Sequence, residues 1–215
     1  MQITDGIHSM LSFYWVYNGF QKLIGADKVR TTLAHEYIRP KAGEKILDIG
    51  CGTGEILKYL PDTIQYHGYD LSKKYILHAK ECFKEKGIFK CADVTKMMHG
   101  EFGQFDTVLA SGLLHHLDDQ EVHNIINSAR KLLKPNGKLI KLDCCYTNQQ
   151  SLIARYLIDQ DRGKNVRTEE GYRSLVAPYF KNIHVDIKND VLRLPYTHIF
   201  MICTNPIEKN LHENT

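Results

Sequence analysis

Residues 45–54 read Lys-Ile-Leu-Asp-Ile-Gly-Cys-Gly-Thr-Gly, a short apolar run that ends in three glycines at alternate positions. The apolar run predicts a buried strand over residues 45–49. The glycines allow the backbone to turn tightly and to approach a ligand closely, because no Cβ stands in the way. The stretch therefore predicts a strand that is followed by a ligand-binding loop.

The strand-then-helix pattern continues along the chain. Further strands are predicted over residues 64–69, 87–91, 105–110 and 138–145. Helices are predicted over residues 53–60 and 149–160, and after the capping residues Ser72, Asp118 and Thr168. The final runs, 181–188 and 194–203, have a short connection and predict an antiparallel hairpin. This alternation indicates an α/β fold, with a doubly wound parallel sheet and helices on both faces.

The texture of the sequence changes near Pro40. Residues 9–24 are rich in aromatic and apolar side chains, and a helix is predicted to start at Asp27 and to stop before Pro40. We therefore divide the chain into an N-terminal helical lid segment (1–40), a main domain (41–206) and a C-terminal tail (207–215).

Composition restricts the class of protein. The 215 residues carry a formal charge of +3, which is weak support for nucleic-acid binding, and no apolar run reaches the roughly 20 residues of a membrane span. The six cysteines form no CxxC pair and no zinc-finger spacing, so we predict reduced thiols and no metal. A cytoplasmic protein fits these features best.

Asp70 ends the second strand, 16 residues after Gly54. A carboxylate at this place can accept hydrogen bonds from both hydroxyls of a ribose, so a nucleoside ligand is expected. The residue after Gly54 is Glu55, whose charge would face a pyrophosphate unfavourably. The expected ligand therefore carries no pyrophosphate.

At this point the chain resembles the class I S-adenosylmethionine-dependent methyltransferases. The matching motifs are ILDIGCGTG (46–54), GYDLS (68–72), CADVT (91–95), FDTVLASGLLHHL (105–117) and LLKPNGKL (132–139). They stand in the order of the family, over residues 45–145. The resemblance implies a Rossmann-like sheet of seven strands with the last one antiparallel, S-adenosylmethionine as cofactor and S-adenosylhomocysteine as product.

The resemblance also implies residue roles around the cofactor. The loop of Gly50, Cys51, Gly52 and Gly54 would hold the methionine part, with Asp48 near its ammonium group. Asp70 and the adjacent Leu71 would contact the ribose side of the nucleoside. Asp93 would contact the adenine amino group, Val94 a ring nitrogen through its backbone, and Ser111 the methionine. Two of these positions have structural alternatives, because Asp93 could cap the turn after its strand and Ser111 could start a loop.

Methyl transfer is an in-line displacement, so much of the catalysis can come from positioning the two reactants. A base is needed only where the acceptor is protonated. His115 and His116 follow the fourth strand beside the expected pocket, and both are candidates for that base. The alternative is that the Leu-His-His-Leu stretch only orients the next helix.

Three further regions are candidates for binding the acceptor. Tyr14 and Tyr17 belong to the predicted lid, where Tyr17 would contact the cofactor, although ordinary helix packing explains such aromatics as well. Cys144 ends the fifth strand and could touch an acceptor or serve as a small buried hydrophobe. Arg162 and Arg167 lie in the basic loop 161–167 and suit an anionic acceptor, unless that loop is only solvated. The nearby Lys141, inside an apolar strand, has no predicted role.

Together these features predict methyl transfer to a small-molecule acceptor through oxygen, nitrogen or carbon. Methylation of RNA or protein is an alternative, although no (N/D)PP(Y/F) tetrad and no separate basic module are visible. A second alternative is a non-catalytic, cofactor-binding regulatory protein. The oligomeric state is not predicted.

Overall fold

The computed structural model describes residues 25–97, 103–161 and 163–207. Its strands are β1 (Lys45–Ile49), β2 (Gln65–Asp70), β3 (Ile88–Cys91), β4 (Phe105–Ser111), β5 (Leu133–Tyr146), β6 (Arg167–Thr168), β7 (Phe180–Lys188) and β8 (His198–Pro206). Its α-helices are α1 (Ala26–Thr32), α2 (Lys73–Phe83), α3 (Asp119–Leu132), α4 (Leu152–Asp159) and α5 (Glu169–Val176).

Seven of the strands form one sheet in the order β3-β2-β1-β4-β5-β8-β7. The first five in this order are parallel, whereas β8 is antiparallel to both of its neighbours, β5 and β7. The short β6 adds a parallel pairing to the end of β5. The predicted doubly wound sheet and its antiparallel last strand are therefore confirmed.

Apolar stripes on the helices cover both faces of this sheet. On α3, the buried Val122, Ile126 and Ala129 recur at helical spacing and join the cluster that also includes side chains of α5. Asp118 and Glu121 form a capping box that sets the start of α3. On the opposite face, α2 packs Ile76 and Ala79 against the sheet. Both helix starts, after Ser72 and after Asp118, lie where the sequence predicts them.

Two local differences from the predictions have backbone causes. The predicted helix over residues 53–60 is a short 3₁₀ segment, Glu55–Tyr59, that begins directly after Gly54 in the left-handed region. Helix α1 continues directly into a π-helical segment, Leu33–Ile38. It ends at Arg39, whose φ is 43° rather than extended and whose N–H donates to the carbonyl of Ala34.

Among the described residues, no helix is long and apolar enough to cross a membrane. The carboxyl ends of β1, β2, β4 and β5 meet at one edge of the sheet, where ligands of open α/β sheets bind. The candidate site lies at this edge.

Candidate active site

The loop after β1 turns through three left-handed glycines. The φ angles are 71° at Gly50, 55° at Gly52 and 75° at Gly54. The N–H groups of Gly50 and Cys51 donate to the carbonyl of Tyr69 in β2, at 2.7 and 3.1 Å. A Cβ on Gly52 would meet no atom of the described residues within 4 Å, so those residues leave this side of the loop uncovered. The loop is thus tied to the sheet on one side and open on the other.

Asp70 links this loop to the end of β2. One carboxylate oxygen accepts from the N–H of Gly52 at 2.9 Å, and the other accepts from the N–H of Ser72 at 2.7 Å. The side chain is half-buried and each oxygen has a second lone pair. Asp70 therefore shapes the glycine loop and still has acceptor capacity for the two hydroxyls of a ribose.

Asp48 lies beneath the loop, in the core. Its carboxylate accepts a hydrogen bond from the hydroxyl of Tyr66 at 2.6 Å, and the residue is 5% exposed. Burial raises the pKa of Asp48, the hydrogen bond from Tyr66 lowers it, and the charge of Asp70 raises it. The net result is a pKa of about 7. Tyr66 was not recognised in the sequence, although its place in the neighbouring parallel strand offers such a contact.

The remaining predicted cofactor residues lie along the same edge. Asp93 caps the turn after β3, because its carboxylate accepts from the N–H of Thr95 at 2.9 Å and from its hydroxyl at 2.7 Å. The capping role is thus present, and a contact to adenine stays a prediction. Val94 is buried and Leu71 is 75% exposed beside Asp70. Ser111 is half-buried at the end of β4.

S-adenosylmethionine, the cofactor that the sequence motifs imply, fits the donor and acceptor groups of this edge. Gly112, directly after Ser111, has a φ of 64°, and a Cβ on it would likewise meet no atom within 4 Å in the part of the chain that the structure describes. Gly52 and Gly112 thus form two open positions on neighbouring strand ends, which side chains would otherwise fill. The paired oxygens of Asp70 and the exposed apolar side chain of Leu71 complete a cradle for a nucleoside with an apolar base face.

His115 occupies the acceptor side, in a 3₁₀ turn that follows β4. Its Nδ1 lies 2.7 Å from a carboxylate oxygen of Asp143, and its Nε2 lies 3.4 Å from Asp161. Burial lowers the pKa of His115, but hydrogen bonds and charges of the two carboxylates outweigh burial and raise it to about 9. The candidate base His115 is thus held between two carboxylates, and its role as a base stays a prediction.

Lys141 obtains a role from one of these carboxylates, that of Asp143. Its Nζ is 3.1 Å from Asp143 and 3.0 Å from the ring centroid of Tyr172, and the side chain is fully buried. Burial lowers the pKa of Lys141, while the charge of Asp143 opposes this. Lys141 and Asp143 are two residues apart in β5, so their side chains lie on the same face of the sheet. This spacing could have indicated the pair from the sequence.

Cys144 is buried next to this cluster, and burial raises its thiol pKa to about 12. The ligand atoms of His115, Cys144 and Asp161 lie within 4.8 Å of one another. Tyr196, in the connection before β8, donates its hydroxyl to Asp161 at 2.8 Å. Asp143, Asp161 and Tyr196 were missed in the sequence, since they stand in segments that no motif marks.

Arg167, which the sequence predicts to bind an anionic acceptor, makes its contacts within the chain in the described arrangement. All five N–H groups of its guanidinium donate within the chain, to Asp119 and to the carbonyls of Leu114, Leu117 and Asn165. Arg167 therefore fastens the turn that carries His115 and has no donor left for a ligand.

Three other predicted site residues cannot be placed. Tyr14, Tyr17 and Arg162 lie outside the described residues.

His116 is exposed, and its ring lies 4.0 Å from that of His115, centroid to centroid.

Residues 47–139 match the family model of the methyltransferase domain. A hybrid PKS-NRPS synthetase of Trichoderma harzianum is 33% identical over 63% of this chain, and the match covers 4% of that protein. The 27-O-demethylrifamycin SV methyltransferase of Amycolatopsis mediterranei is 31% identical over 46% of this chain and 38% of its own length.

One similar solved structure is the 1,6-didemethyltoxoflavin-N1-methyltransferase of Burkholderia thailandensis, which contains 1,6-didemethyltoxoflavin and S-adenosylhomocysteine. The two folds superpose with a TM-score of 0.68 at 17% identity, over 92% of this chain and 85% of that one. The chain spans well under half of the length of the first curated relatives that it matches. Residues 47–139 thus match a methyltransferase domain, and the sheet, with its antiparallel last strand, is the one that the resemblance to the class I, S-adenosylmethionine-dependent methyltransferases implies.

Proposed function

We propose that this chain is an enzyme that transfers a methyl group from S-adenosylmethionine to a small-molecule acceptor. The observation that carries the proposal is the joint geometry of the glycine loop and Asp70, in which one carboxylate accepts from the N–H of Gly52 and, with its other oxygen, from the N–H of Ser72, next to a glycine position that the described residues leave uncovered. The bound cofactor would supply an activated methyl group on sulfur.

The chain's own groups would divide the work between two strand ends. Asp70, with the adjacent Leu71, would bind the nucleoside; Asp48 would stand near the ammonium group; and Gly52 would let the methionine part approach the backbone. Asp93 and Val94 would contact the adenine, and Ser111 the methionine part. Because positioning accounts for most of the proposed catalysis, the residues that orient the acceptor matter more than a strong base.

His115 is proposed to position the acceptor side rather than to remove a proton. Both of its ring nitrogens face carboxylates, Asp143 and Asp161. His116 is the exposed member of the pair and keeps the proposed role of proton acceptor for a protonated substrate. Cys144 is proposed to form part of the wall of this region.

The charge of the acceptor stays a prediction. Since Arg167 is used within the chain, an anionic acceptor would depend on Arg162 and on the exposed Lys164. Tyr14 and Tyr17 remain proposed lid contacts, and residues 1–40, 41–206 and 207–215 the proposed division of the chain. A cytoplasmic location is likewise proposed from the sequence.

The test uses S-adenosylmethionine that carries a labelled methyl group. The protein is incubated with three separate fractions of a cell extract: small molecules, RNA and protein. Asp70→Ala is the matched negative control. We expect label in the small-molecule fraction for the wild type and none above background for the variant.

Transfer mainly to RNA or protein would replace the proposed acceptor class. Binding of S-adenosylhomocysteine without transfer to any fraction would favour the regulatory alternative. Calorimetry on the same sample, with S-adenosylhomocysteine as titrant, separates these two outcomes.

A further inference from the structure

The sequence predicts no metal, but the structure brings together three side chains that such a prediction could not connect. They are His115 after β4, Cys144 at the end of β5 and Asp161 after α4. Their ligand atoms lie within 4.8 Å of one another, and two of the three residues are buried. We propose that these three side chains form a binding site for one zinc-class divalent transition-metal ion with an open fourth position.

The imidazole is oriented as a metal ligand would be. Its Nδ1 faces the buried carboxylate of Asp143 at 2.7 Å, which directs Nε2 towards Asp161 at 3.4 Å. A carboxylate behind a histidine is the common outer partner in zinc sites, because it fixes the ring and its tautomer. Gly163 packs directly against this ring, because a Cβ at residue 163 would fall 2.0 Å from Cδ2 of His115.

The separations suit a small ion. Bonds of about 2.0 to 2.3 Å in a tetrahedral site place the ligand atoms roughly 3.3 to 3.8 Å apart. The Nε2 to Asp161 distance already has this value, so the third ligand needs a movement of about 1 Å or less.

A second observation points to the same place from β8. His198 is 8% exposed, and its Nδ1 has no hydrogen-bond partner among residues 25–97, 103–161 and 163–207. Its Cα is the register partner of the Cα of Cys144, so the two side chains stand on the same face of the sheet. A buried imidazole nitrogen without a partner is costly unless something occupies the space that it faces.

The donor set selects the class of ion. One nitrogen, one sulfur and one carboxylate oxygen suit zinc or a similar transition metal, whereas magnesium and calcium take oxygen ligands almost alone. Asp161 is the accessible member, because its side chain is 29% exposed. It provides the way in for the ion and leaves room for a water or a ligand atom at the fourth position.

Binding is a simple exchange. The ion forms bonds to Nε2 of His115, to the sulfur of Cys144 and to a carboxylate oxygen of Asp161. The proton on Nε2 and the proton of the thiol leave to solvent, and no electron is transferred. The proton on Nδ1 stays with the hydrogen bond to Asp143.

The test is a titration of metal-stripped full chain with Co²⁺, which reports sulfur ligation by a thiolate-to-metal absorption band in the near ultraviolet. We expect saturation at one equivalent, and competition by Zn²⁺ that removes the band. Cys144→Ser should abolish the band, while Cys145→Ser should retain it. The second cysteine is the matched control, because it is equally buried but points to the other face of the sheet.

Asp161→Asn should weaken Co²⁺ binding at least about tenfold and leave the affinity for S-adenosylhomocysteine within about threefold. This variant also serves if Cys144→Ser does not fold, which circular dichroism would reveal. The proposal is overturned if no saturable equivalent of Co²⁺ binds, if the band survives Cys144→Ser, or if Asp161→Asn binds Co²⁺ as the wild type does. Each result is independent of methyl transfer, so it does not depend on the proposed function.

Discussion

The two halves of the candidate site are built in different ways. The half beneath the proposed cofactor is made from the ends of β1 and β2, within residues 48–70, and mostly from backbone groups and one carboxylate. The half proposed to face the acceptor gathers His115, Asp143, Asp161 and Tyr196 from four separate segments. A ligand that many proteins share needs only a local motif, whereas a particular acceptor is recognised by side chains that the fold assembles.

The largest expected effect concerns Asp48, on the cofactor side. Its folded pKa, about 7, is above the unfolded value, so its contribution to stability is present at pH 4 and is lost as pH rises through 7. We expect Asp48→Asn to be more stable than the wild type at pH 8, by up to about 4 kcal/mol, and similar to it at pH 4.

Urea unfolding of both proteins across pH 4 to 8 measures this difference. Subtracting the two curves isolates Asp48 from other titrating groups. Parallel curves for the two proteins would mean that Asp48 ionises normally in the fold.

Asp70→Ala tests how far one carboxylate holds the cofactor half. The variant loses the bond to Gly52 and two acceptors for the ribose, at about 1.5 to 3 kcal/mol per charged hydrogen bond. We expect affinity for S-adenosylhomocysteine to fall by about 100-fold or more, measured by calorimetry. Asp93→Ala, whose carboxylate caps a turn, is the control and should lose about tenfold or less. Equal losses of affinity in both variants would contradict a specific role of Asp70 in binding the cofactor.

Two glycine substitutions test the two halves of the candidate site separately, one through stability and the other through cofactor affinity. An alanine Cβ at Gly163 would fall 2.0 Å from His115, so we expect Gly163→Ala to lower the free energy of unfolding by about 2 kcal/mol. In Gly52→Ala, the added Cβ would meet no atom of the described residues within 4 Å. The cost of the left-handed backbone to stability is about 1 kcal/mol. There the main expected loss is cofactor affinity.

Thermal unfolding and calorimetry on both variants give the two readouts. The comparison fails if Gly52→Ala binds S-adenosylhomocysteine like the wild type, or if Gly163→Ala is as stable as the wild type.

The smallest expected effect separates two of the three cations in residues 161–167, Arg167 and Lys164. Arg167→Ala leaves three carbonyls and Asp119 without their donor, so we expect a loss of about 1 to 2 kcal/mol in stability. Lys164→Ala, at an exposed position, should stay within about 0.5 kcal/mol. Chemical denaturation measures both, and an unchanged Arg167→Ala would restore Arg167 as a candidate for the acceptor.

Local patterns predicted the parts of the site that depend on neighbouring residues. The caps at Ser72 and Asp118 and the glycine loop lie where they were expected, because each is decided within a few residues of chain. The internal contacts of Arg167 were not predicted, because charge and position in a loop do not reveal which carbonyls will surround a guanidinium. Those carbonyls belong to the turn at residues 114–117, about 50 positions away.

The amino-acid sequence by itself determined the α/β class, the strand that precedes the glycine loop and the acid that ends β2. These follow from periodicity and from backbone freedom, which act over short distances along the chain. Only the tertiary structure decided that His115 stands between two carboxylates and that Cys144 and Asp161 lie beside it. Burial and electrostatic pairing depend on which segments meet in space, and that is set when the strands join into one sheet.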